Sequence, residues 1–248
     1  MNGDLTEHQC RSLDRYFGLM KSHPELFSDR PRRPIVQEPV ILQEFAQKHN
    51  ATLGVLAETP YLWLINDLVQ GWDSSGATFY YTYLRIIAPP GLGNRAGVVA
   101  LATIPPGNAR EAESIVLVEQ ERHATGNREL ELPRGFADPK EPAELHVLEE
   151  LKAETGYYGE HAQHLGTTVT DSGTSDGAVS FFHVPVTGRV PETPDLHEVI
   201  YRTVLLTREE LWSRIFSGAV RDAFTVQAMA FYEARLENKG KTSPHRSL

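Results

Sequence analysis

The chain has 248 residues, of which 40% are hydrophobic and 23% charged, a composition typical of a folded globular protein with one large domain or one domain and an extension. Its formal net charge of −9 argues against a general nucleic-acid-binding surface and against an anionic-membrane surface. Cys10 is the only cysteine, which excludes an intrachain disulfide and a cysteine-based zinc site. The polar N-terminus is unlike a signal peptide, and no apolar run approaches the roughly 18 residues of a membrane span, so we expect a cytoplasmic protein.

The first part of the chain, residues 1–50, is predicted to be a helical N-terminal extension. Residues 5–22 show an amphipathic helical pattern, and residues 39–49 show a second one. The apolar side of the first helix is expected to comprise Leu13, Tyr16, Phe17 and Met20. A stretch rich in proline and arginine joins the two helices and is expected to be a connector.

From residue 52 onward the pattern changes to strands rich in aromatic and β-branched residues. Residues 51–94 are predicted to form an N-terminal antiparallel sheet, with a turn at the segment GWDSSG. Residues 95–238 are predicted to be the main domain, in which further strands flank one helix and two helices close the chain. Thr207 is expected to cap the first closing helix, and the tail, residues 239–248, is expected to be flexible.

The segment ELPRGFADPKEPAELHVLEELKAETGY, residues 131–157, carries the strongest chemical signal. Leu145, Leu148 and Leu151 recur every three residues, which predicts an apolar stripe on a helix packed against a sheet. Glu150 and Glu154 are four residues apart and are expected to share the side opposite that stripe. Carboxylates brought together in this way suit a hard divalent cation such as Mg²⁺. The alternative is that these acids belong to the solvated face of an acidic helix.

This segment resembles the Nudix box, G-x5-E-x7-R-E-U-x-E-E-x-G-U, in which U is a bulky apolar residue. The matching positions are Gly135, Glu141, Glu150, Leu151, Glu154, Gly156 and Tyr157. Two positions depart from the pattern, because Glu149 stands in place of the arginine and Ala153 in place of one glutamate. The resemblance implies an α/β fold, a Nudix-type α/β/α sandwich of mixed sheets.

The flanking segments resemble the ADP-ribose pyrophosphatase branch of that family. Gln120 and Arg122 match its Q-x-R strand, and Gly218, Asp222 and Thr225 match its final helix. The resemblance implies hydrolysis of the pyrophosphate bond of ADP-ribose or a related nucleoside diphosphate sugar. It also implies a homodimer formed through the N-terminal sheet.

The resemblance further implies a Mg²⁺ site, with Mn²⁺ as a possible substitute. Its ligands would be the carboxylates of Glu150 and Glu154, the backbone carbonyl of Arg134, and an acid from the loop at residues 191–201. In that loop Glu198 is the expected metal ligand. The remaining acids there, Asp195 and Glu192, are candidates for orienting or deprotonating the attacking water.

The implied substrate contacts are Arg122, Arg134, Gly135 and Asp176. The guanidinium of Arg122 suits a phosphate group, although a structural salt bridge is the alternative. Asp176 lies in a loop that takes the place of the branch's proline-glycine loop, where Ser172 replaces the proline. Strand aromatics that could stack on adenine, or instead belong to the core, are Tyr61, Trp63 and Tyr80. The histidines His123, His146 and His197 show no metal-ligand spacing.

The sequence therefore predicts a metal-dependent nucleoside diphosphate-X hydrolase. The departures at Glu149 and Ala153 leave two other hypotheses open. One is a non-hydrolysing Nudix domain that binds a nucleotide as a sensor. The other is a scaffold in which the box is only structural.

Overall fold

A computed structural model describes residues 4–28, 32–88, 97–107, 111–138, 140–194 and 198–241. The chain is mixed α/β, as predicted, and it forms two compact units. The first comprises Met1–Asn94 together with Thr170–Gly177, and the second comprises Arg95–Val169 together with Ala178–Leu248.

The first unit combines two helices with a three-stranded antiparallel sheet. Its elements are α1 (Glu7–Ser22), a short 3-10 helix (Pro24–Phe27), α2 (Pro39–His49), β1 (Gly54–Glu58), β2 (Trp63–Trp72) and β3 (Thr78–Ile87), with the strands in the order β1-β2-β3. Thr6 and Gln9 form a capping box at the start of α1. An isolated antiparallel β-bridge joins Ile35 to Val69 in β2, so the connector between the helices also contacts the sheet.

The core of the first unit lies between α1 and one face of this sheet. Leu13 and Leu19 of α1 are buried in the same cluster as Ile65 of β2. A charged pair is enclosed there, since the carboxylate of Asp67 accepts hydrogen bonds from the guanidinium of Arg85. The hydroxyl of Tyr16 donates a third hydrogen bond to Asp67 at 2.5 Å. This network ties the helical extension to the sheet because Tyr16 comes from α1.

The second unit holds nine strands and three helices among its described residues. They are β4 (Gly97–Ile104), β5 (Ser114–Arg122), β6 (Asn127–Glu131), β7 (Arg134–Phe136), α3 (Ala143–Thr155), β8 (Tyr157–Tyr158), β9 (Gln163–Val169), β10 (Ala178–Pro185), β11 (Gly188–Arg189), β12 (Ile200–Thr207), α4 (Arg208–Phe216) and α5 (Ala223–Lys241). Helix α5 thus extends three residues into the segment predicted as a flexible tail. The rest of that tail, residues 242–248, lies outside the described residues.

One mixed sheet forms the centre of the second unit. Its main path is β12-β5-β4-β10-β9, with β6 paired to β5 and β7 paired to β4, and only the β4–β10 pair is parallel. Val147 and Leu151 of α3 pack on one face of the sheet. Leu211 of α4 and Met229 of α5 pack on the other face. The predicted α/β/α sandwich is therefore confirmed for this unit.

Strand β12 passes directly into α4 through a well-formed cap. Thr207 accepts a hydrogen bond from the backbone N–H of Glu210, and the Glu210 side chain accepts one from the Thr207 N–H. This reciprocal pair is a capping box, and it confirms the prediction that Thr207 caps this helix. The strand therefore leads into the helix at a defined residue.

Candidate active site

Helix α3 presents its residues to the sheet differently from the sequence prediction. Val147 and Leu151 are fully buried and Leu148 packs against the same cluster, whereas Leu145 is 49% exposed, so the predicted stripe is wrong at Leu145. A period of three drifts around a helix with 3.6 residues per turn, and the i, i+4 pair of Val147 and Leu151 stays on one face. Glu154 continues toward the same buried side and is only 1% exposed, although it was expected opposite the stripe.

Three carboxylates meet at this helix. The side chains of Glu150, Glu154 and Glu198 each bring one oxygen to within 4.8 Å of the other two. Glu150 and Glu154 lie one helical turn apart on α3, and Glu198 lies two residues before the start of β12. The structure thus brings together the three side chains that the sequence singled out as metal ligands. Whether they bind a metal stays a prediction at this point.

Glu154 is the most unusual of the three carboxylates. Its pKa is raised to about 9 by burial first, and then by the negative charges of Glu198 and Glu150, while the guanidinium of Arg122 acts in the opposite direction. Neither side-chain oxygen makes a hydrogen bond of ordinary geometry to any residue that the structure describes. A buried carboxylate without a well-formed hydrogen bond and with two like charges beside it is strongly disfavoured alone. A hard divalent cation would relieve both problems, so this donor set fits one.

Strand β7, which precedes α3, comes very close to the carboxylate of Glu150 at Gly135. A Cβ atom added to Gly135 would lie 1.8 Å from Glu150 Oε1, so any larger residue at this position would displace that carboxylate. Gly156 at the other end of α3 has a φ of +70°, and a Cβ there would lie 2.1 Å from the Val190 carbonyl oxygen. Gly135 therefore leaves room for the Glu150 carboxylate, and Gly156 allows close backbone packing at the C-terminal end of α3.

A second charged cluster lies on strands β5, β6 and β7. Arg122 Nε donates to Glu131 Oε1 at 2.6 Å, and Arg134 Nε and one of its terminal nitrogens donate to Glu131 Oε2 at 3.2 and 3.0 Å. The Arg134 guanidinium also lies 3.8 Å from an Asp222 oxygen and 4.9 Å from the centre of the Phe224 ring. Sequence reasoning missed Glu131, because it reads as an ordinary strand residue. Its position one residue before Leu132-Pro133-Arg134 was the available signal.

The two departures from the box lie at the edge of the carboxylate group. The Glu149 side chain is 74% exposed, and the nearest ring nitrogen of His146 is 3.7 Å from its carboxylate. Ala153 is half-buried, and its carbonyl accepts a hydrogen bond from the Thr193 N–H at 2.9 Å. Glu149 therefore faces solvent on α3, away from the trio formed by Glu150, Glu154 and Glu198.

Other predicted site residues lie elsewhere or lie outside the described chain. Asp195 and His197 fall outside the described residues. Glu192 is exposed and pairs with Arg189 at 2.6 Å. Asp176 is exposed and lines a cavity of about 380 Å³ in the first unit.

The aromatic residues proposed for adenine stacking divide into two groups. Trp63 is buried in the core of the first unit, where its ring lies edge-on to His23. Tyr61 is 71% exposed, and Tyr80 is partly exposed on β3. Trp63 is therefore a core residue and not an exposed stacking surface.

The described helices include none with the length and apolar character needed to span a bilayer.

Comparisons with known proteins identify similar sequences and a similar fold. No family model matches the chain. An ADP-sugar pyrophosphatase of Mus musculus is 30% identical over 124 residues, which make up 48% of this chain and 57% of that protein. A Caenorhabditis elegans protein named as a nudix hydrolase is 37% identical over 90 residues, which make up 36% of this chain and 40% of that protein. The chain thus spans about half the length of the curated relatives it matches.

A structural comparison covers more of the chain. The crystal structure of an ADP compounds hydrolase matches with a TM-score of 0.59 and covers 76% of this chain and 93% of that protein. At 16% sequence identity this match shows the fold. The fold is therefore similar to that of an ADP compounds hydrolase, and the matched segments are similar to an ADP-sugar pyrophosphatase and to a protein named as a nudix hydrolase.

Proposed function

We propose that the protein hydrolyses the pyrophosphate bond of ADP-ribose or a related nucleoside diphosphate sugar, with Mg²⁺ as the cofactor and Mn²⁺ as a possible substitute. The observation that carries the proposal is the carboxylate trio, in which neither oxygen of the buried Glu154 makes a hydrogen bond of ordinary geometry to a described residue. The names of the relatives, an ADP-sugar pyrophosphatase and an ADP compounds hydrolase, support this choice of substrate class.

Glu150, Glu154 and Glu198 would hold the metal, together with the backbone carbonyl of Arg134. A divalent cation held by these residues would neutralise the carboxylates and would supply Lewis-acid polarisation of the substrate's phosphate. A water oxygen forms a bond to one phosphorus, the bridging P–O bond breaks, and two phosphate monoesters leave. Either Asp195 or Glu192 is the proposed acceptor of the water proton.

The substrate's phosphates would contact Arg122, whose guanidinium matches phosphate oxygens in shape and charge. Gly135 supports this role because it lets the backbone approach the carboxylates without a side chain in between. Asp176 remains a proposed substrate contact from the loop at residues 170–177.

The test is incubation with ADP-ribose, nucleotide sugars, dinucleoside polyphosphates and NADH, each with Mg²⁺ or Mn²⁺, followed by chromatography of the products. Glu150→Gln and Glu154→Gln should each lower the rate at least about a hundredfold, which corresponds to about 3 kcal/mol in the barrier. Glu149→Gln removes the same charge from the exposed side of α3 and should have a much smaller effect. Equal effects at the three positions, or no cleavage of any substrate, would contradict the proposal.

A nucleotide-binding sensor is the second candidate, and the departures at Glu149 and Ala153 favour it. A sensor should bind ADP-ribose in calorimetry while the ligand stays intact for hours with metal present. The double change Glu149→Arg with Ala153→Glu restores the family pattern and should then create activity. If the unchanged chain already cleaves ADP-ribose, the sensor hypothesis is wrong.

A homodimer is also proposed, and exposed apolar side chains in the first unit support it. These side chains, on one face of β2 and β3, are Trp72, Tyr80, Leu84 and Ile86. Patches of this kind are disfavoured on a monomer surface. Light scattering should give twice the mass of one chain, and a mass near 27.7 kDa would exclude the dimer.

Cytoplasmic localisation stays a prediction.

A further inference from the structure

We propose that Glu131 and Arg134 are positioning residues that fix the direction of the Arg122 guanidinium toward the substrate's phosphates. The inference rests on the proposed function, since it assigns the residues that aim one of its phosphate contacts. It assigns a positioning role to the buried carboxylate of Glu131 and to Arg134, which the sequence resemblance implied only as a direct substrate contact. Neither of these two side chains was assigned this role from the sequence.

The two oxygens of Glu131 are divided between two arginines. Oε1 accepts from Arg122 Nε at 2.6 Å, and Oε2 accepts from the Nε and a terminal nitrogen of Arg134. The Glu131 side chain is 1% exposed, whereas those of Arg122 and Arg134 are 31% and 27% exposed. A buried carboxylate therefore holds two arginine side chains that are each partly exposed.

The Arg134 side of this cluster is strongly fixed. Its guanidinium contacts Glu131, approaches Asp222 and stacks over Phe224. Asp222 is itself held, because its other oxygen accepts hydrogen bonds from the N–H and hydroxyl of Thr225. Arg134 therefore acts as a fixed counter-charge that keeps the Glu131 carboxylate in place.

The Arg122 side is fixed at one point only. Within the described chain Arg122 donates from Nε to Glu131 and leaves its two terminal nitrogens without a hydrogen bond. Those nitrogens form the end of the fork that binds phosphate oxygens in pairs. A guanidinium held through Nε and free at its outer end is a phosphate contact with a preset direction.

The charge-neutral variant Glu131→Gln tests this arrangement, because glutamine has one acceptor oxygen where glutamate has two. Arg134 is held by three contacts, so it should continue to donate to the single oxygen of the new glutamine. The amide nitrogen of the glutamine would then face Arg122, which would lose its hydrogen bond. We expect kcat to fall at least about tenfold, while KM changes by less than about threefold because the positive charge of Arg122 remains nearby.

Glu129→Gln is the matched control. Glu129 lies two residues earlier on β6, is also buried, and pairs with Arg221 through both of its oxygens. Its loss removes a similar ion pair without touching Arg122 or Arg134. We expect kcat of this variant to stay within about twofold to threefold of the unchanged enzyme, although its melting temperature should fall as much as that of Glu131→Gln.

A double-mutant cycle shows whether Glu131 acts through Arg122. Combining Glu131→Gln with Arg122→Gln should be no worse than Arg122→Gln alone, whereas Glu129→Gln should add its small effect independently. Arg134→Lys is a second variant, because lysine keeps the charge but cannot hold Glu131 through two nitrogens. It should also lower kcat and should also be non-additive with Arg122→Gln.

The outcomes separate this inference from the proposed function. If the enzyme cleaves its substrate but the Glu131 and Arg122 effects add, or if Glu131→Gln resembles Glu129→Gln, only the inference is wrong. If ADP-ribose stays intact with metal present, the same cycle is measured in its dissociation constant. An unchanged protein that neither cleaves nor binds ADP-ribose would overturn both.

Discussion

Glu154→Gln is the substitution for which the structure gives the sharpest expectation in the absence of metal. The pKa of Glu154 is raised from 4.5 to about 9, so the folded protein keeps this carboxyl group protonated at pH values where the unfolded chain ionises it. The free energy of unfolding therefore falls as the pH rises from about 4.5 toward 9. Near pH 7.5 the unfavourable contribution of the ionisable group is up to about 4 kcal/mol, at about 1.4 kcal/mol for each pH unit above the ordinary value. Glutamine has nearly the same volume and carries no ionisable group.

We therefore expect Glu154→Gln to stabilise the metal-free protein near pH 7.5 by at least about 1 and up to about 4 kcal/mol. Near pH 5 the gain should shrink below about 1 kcal/mol, because the unfolded chain is then also partly protonated. The assay is urea unfolding in EDTA at both pH values, with Glu149→Gln as a control that removes an exposed charge from the same helix.

Adding Mg²⁺ should reverse the order of stability. A bound cation favours the carboxylate, so the unchanged protein should gain stability with metal and Glu154→Gln should gain little. If Glu154→Gln is no more stable than the unchanged protein in EDTA, or if its gain is the same at both pH values, the reasoning about a buried, unpaired carboxylate is wrong.

Three further substitutions follow from contacts elsewhere in the chain. Gly135→Ala should lower activity at least about tenfold with little change in melting temperature, because the added methyl displaces the flexible end of Glu150 rather than the backbone, and paired rate and melting measurements check this. Asp67→Asn should lower the free energy of unfolding by about 3–5 kcal/mol in denaturant titration, since it leaves Arg85 buried without its counter-charge, and a loss below 1 kcal/mol would contradict it. Thr207→Ala should reduce stability by about 1 kcal/mol without altering kcat, whereas Thr207→Ser should restore most of the loss.

Local patterns in the sequence predicted the boundaries of two helices well. The bounds of α2 agree with the predicted residues 39–49, and Thr207 caps α4 as expected. Both signals depend on short-range chemistry, namely periodicity in α2 and the oxygen of Thr207 next to two acids. Tertiary packing does not change them.

Packing decided the features that the sequence could not give. The three-residue spacing of the leucines wrongly placed Leu145 on the packed face of α3, and only the position of the sheet shows that Val147 is central. The depth of Glu154 depends on the same contact, so a charged residue predicted near solvent is almost fully buried. The ion pair of Arg122 with Glu131 joins neighbouring strands, whose register cannot be read from one sequence.

The first unit cannot be completed from one continuous piece of chain, because Thr170–Gly177 belongs to it. The N–H of Ile86 in β3 donates to the Thr174 carbonyl at 2.7 Å, and the Tyr83 hydroxyl donates to the Gly173 carbonyl at 2.6 Å. During synthesis these contacts of β3 can therefore form only after β4 to β9 and α3 have been made. An N-terminal fragment ending before residue 95 would leave the edge of β3 uncovered and open to aggregation. The protein should thus refold as a whole, and no single proteolytic cut should release either unit intact.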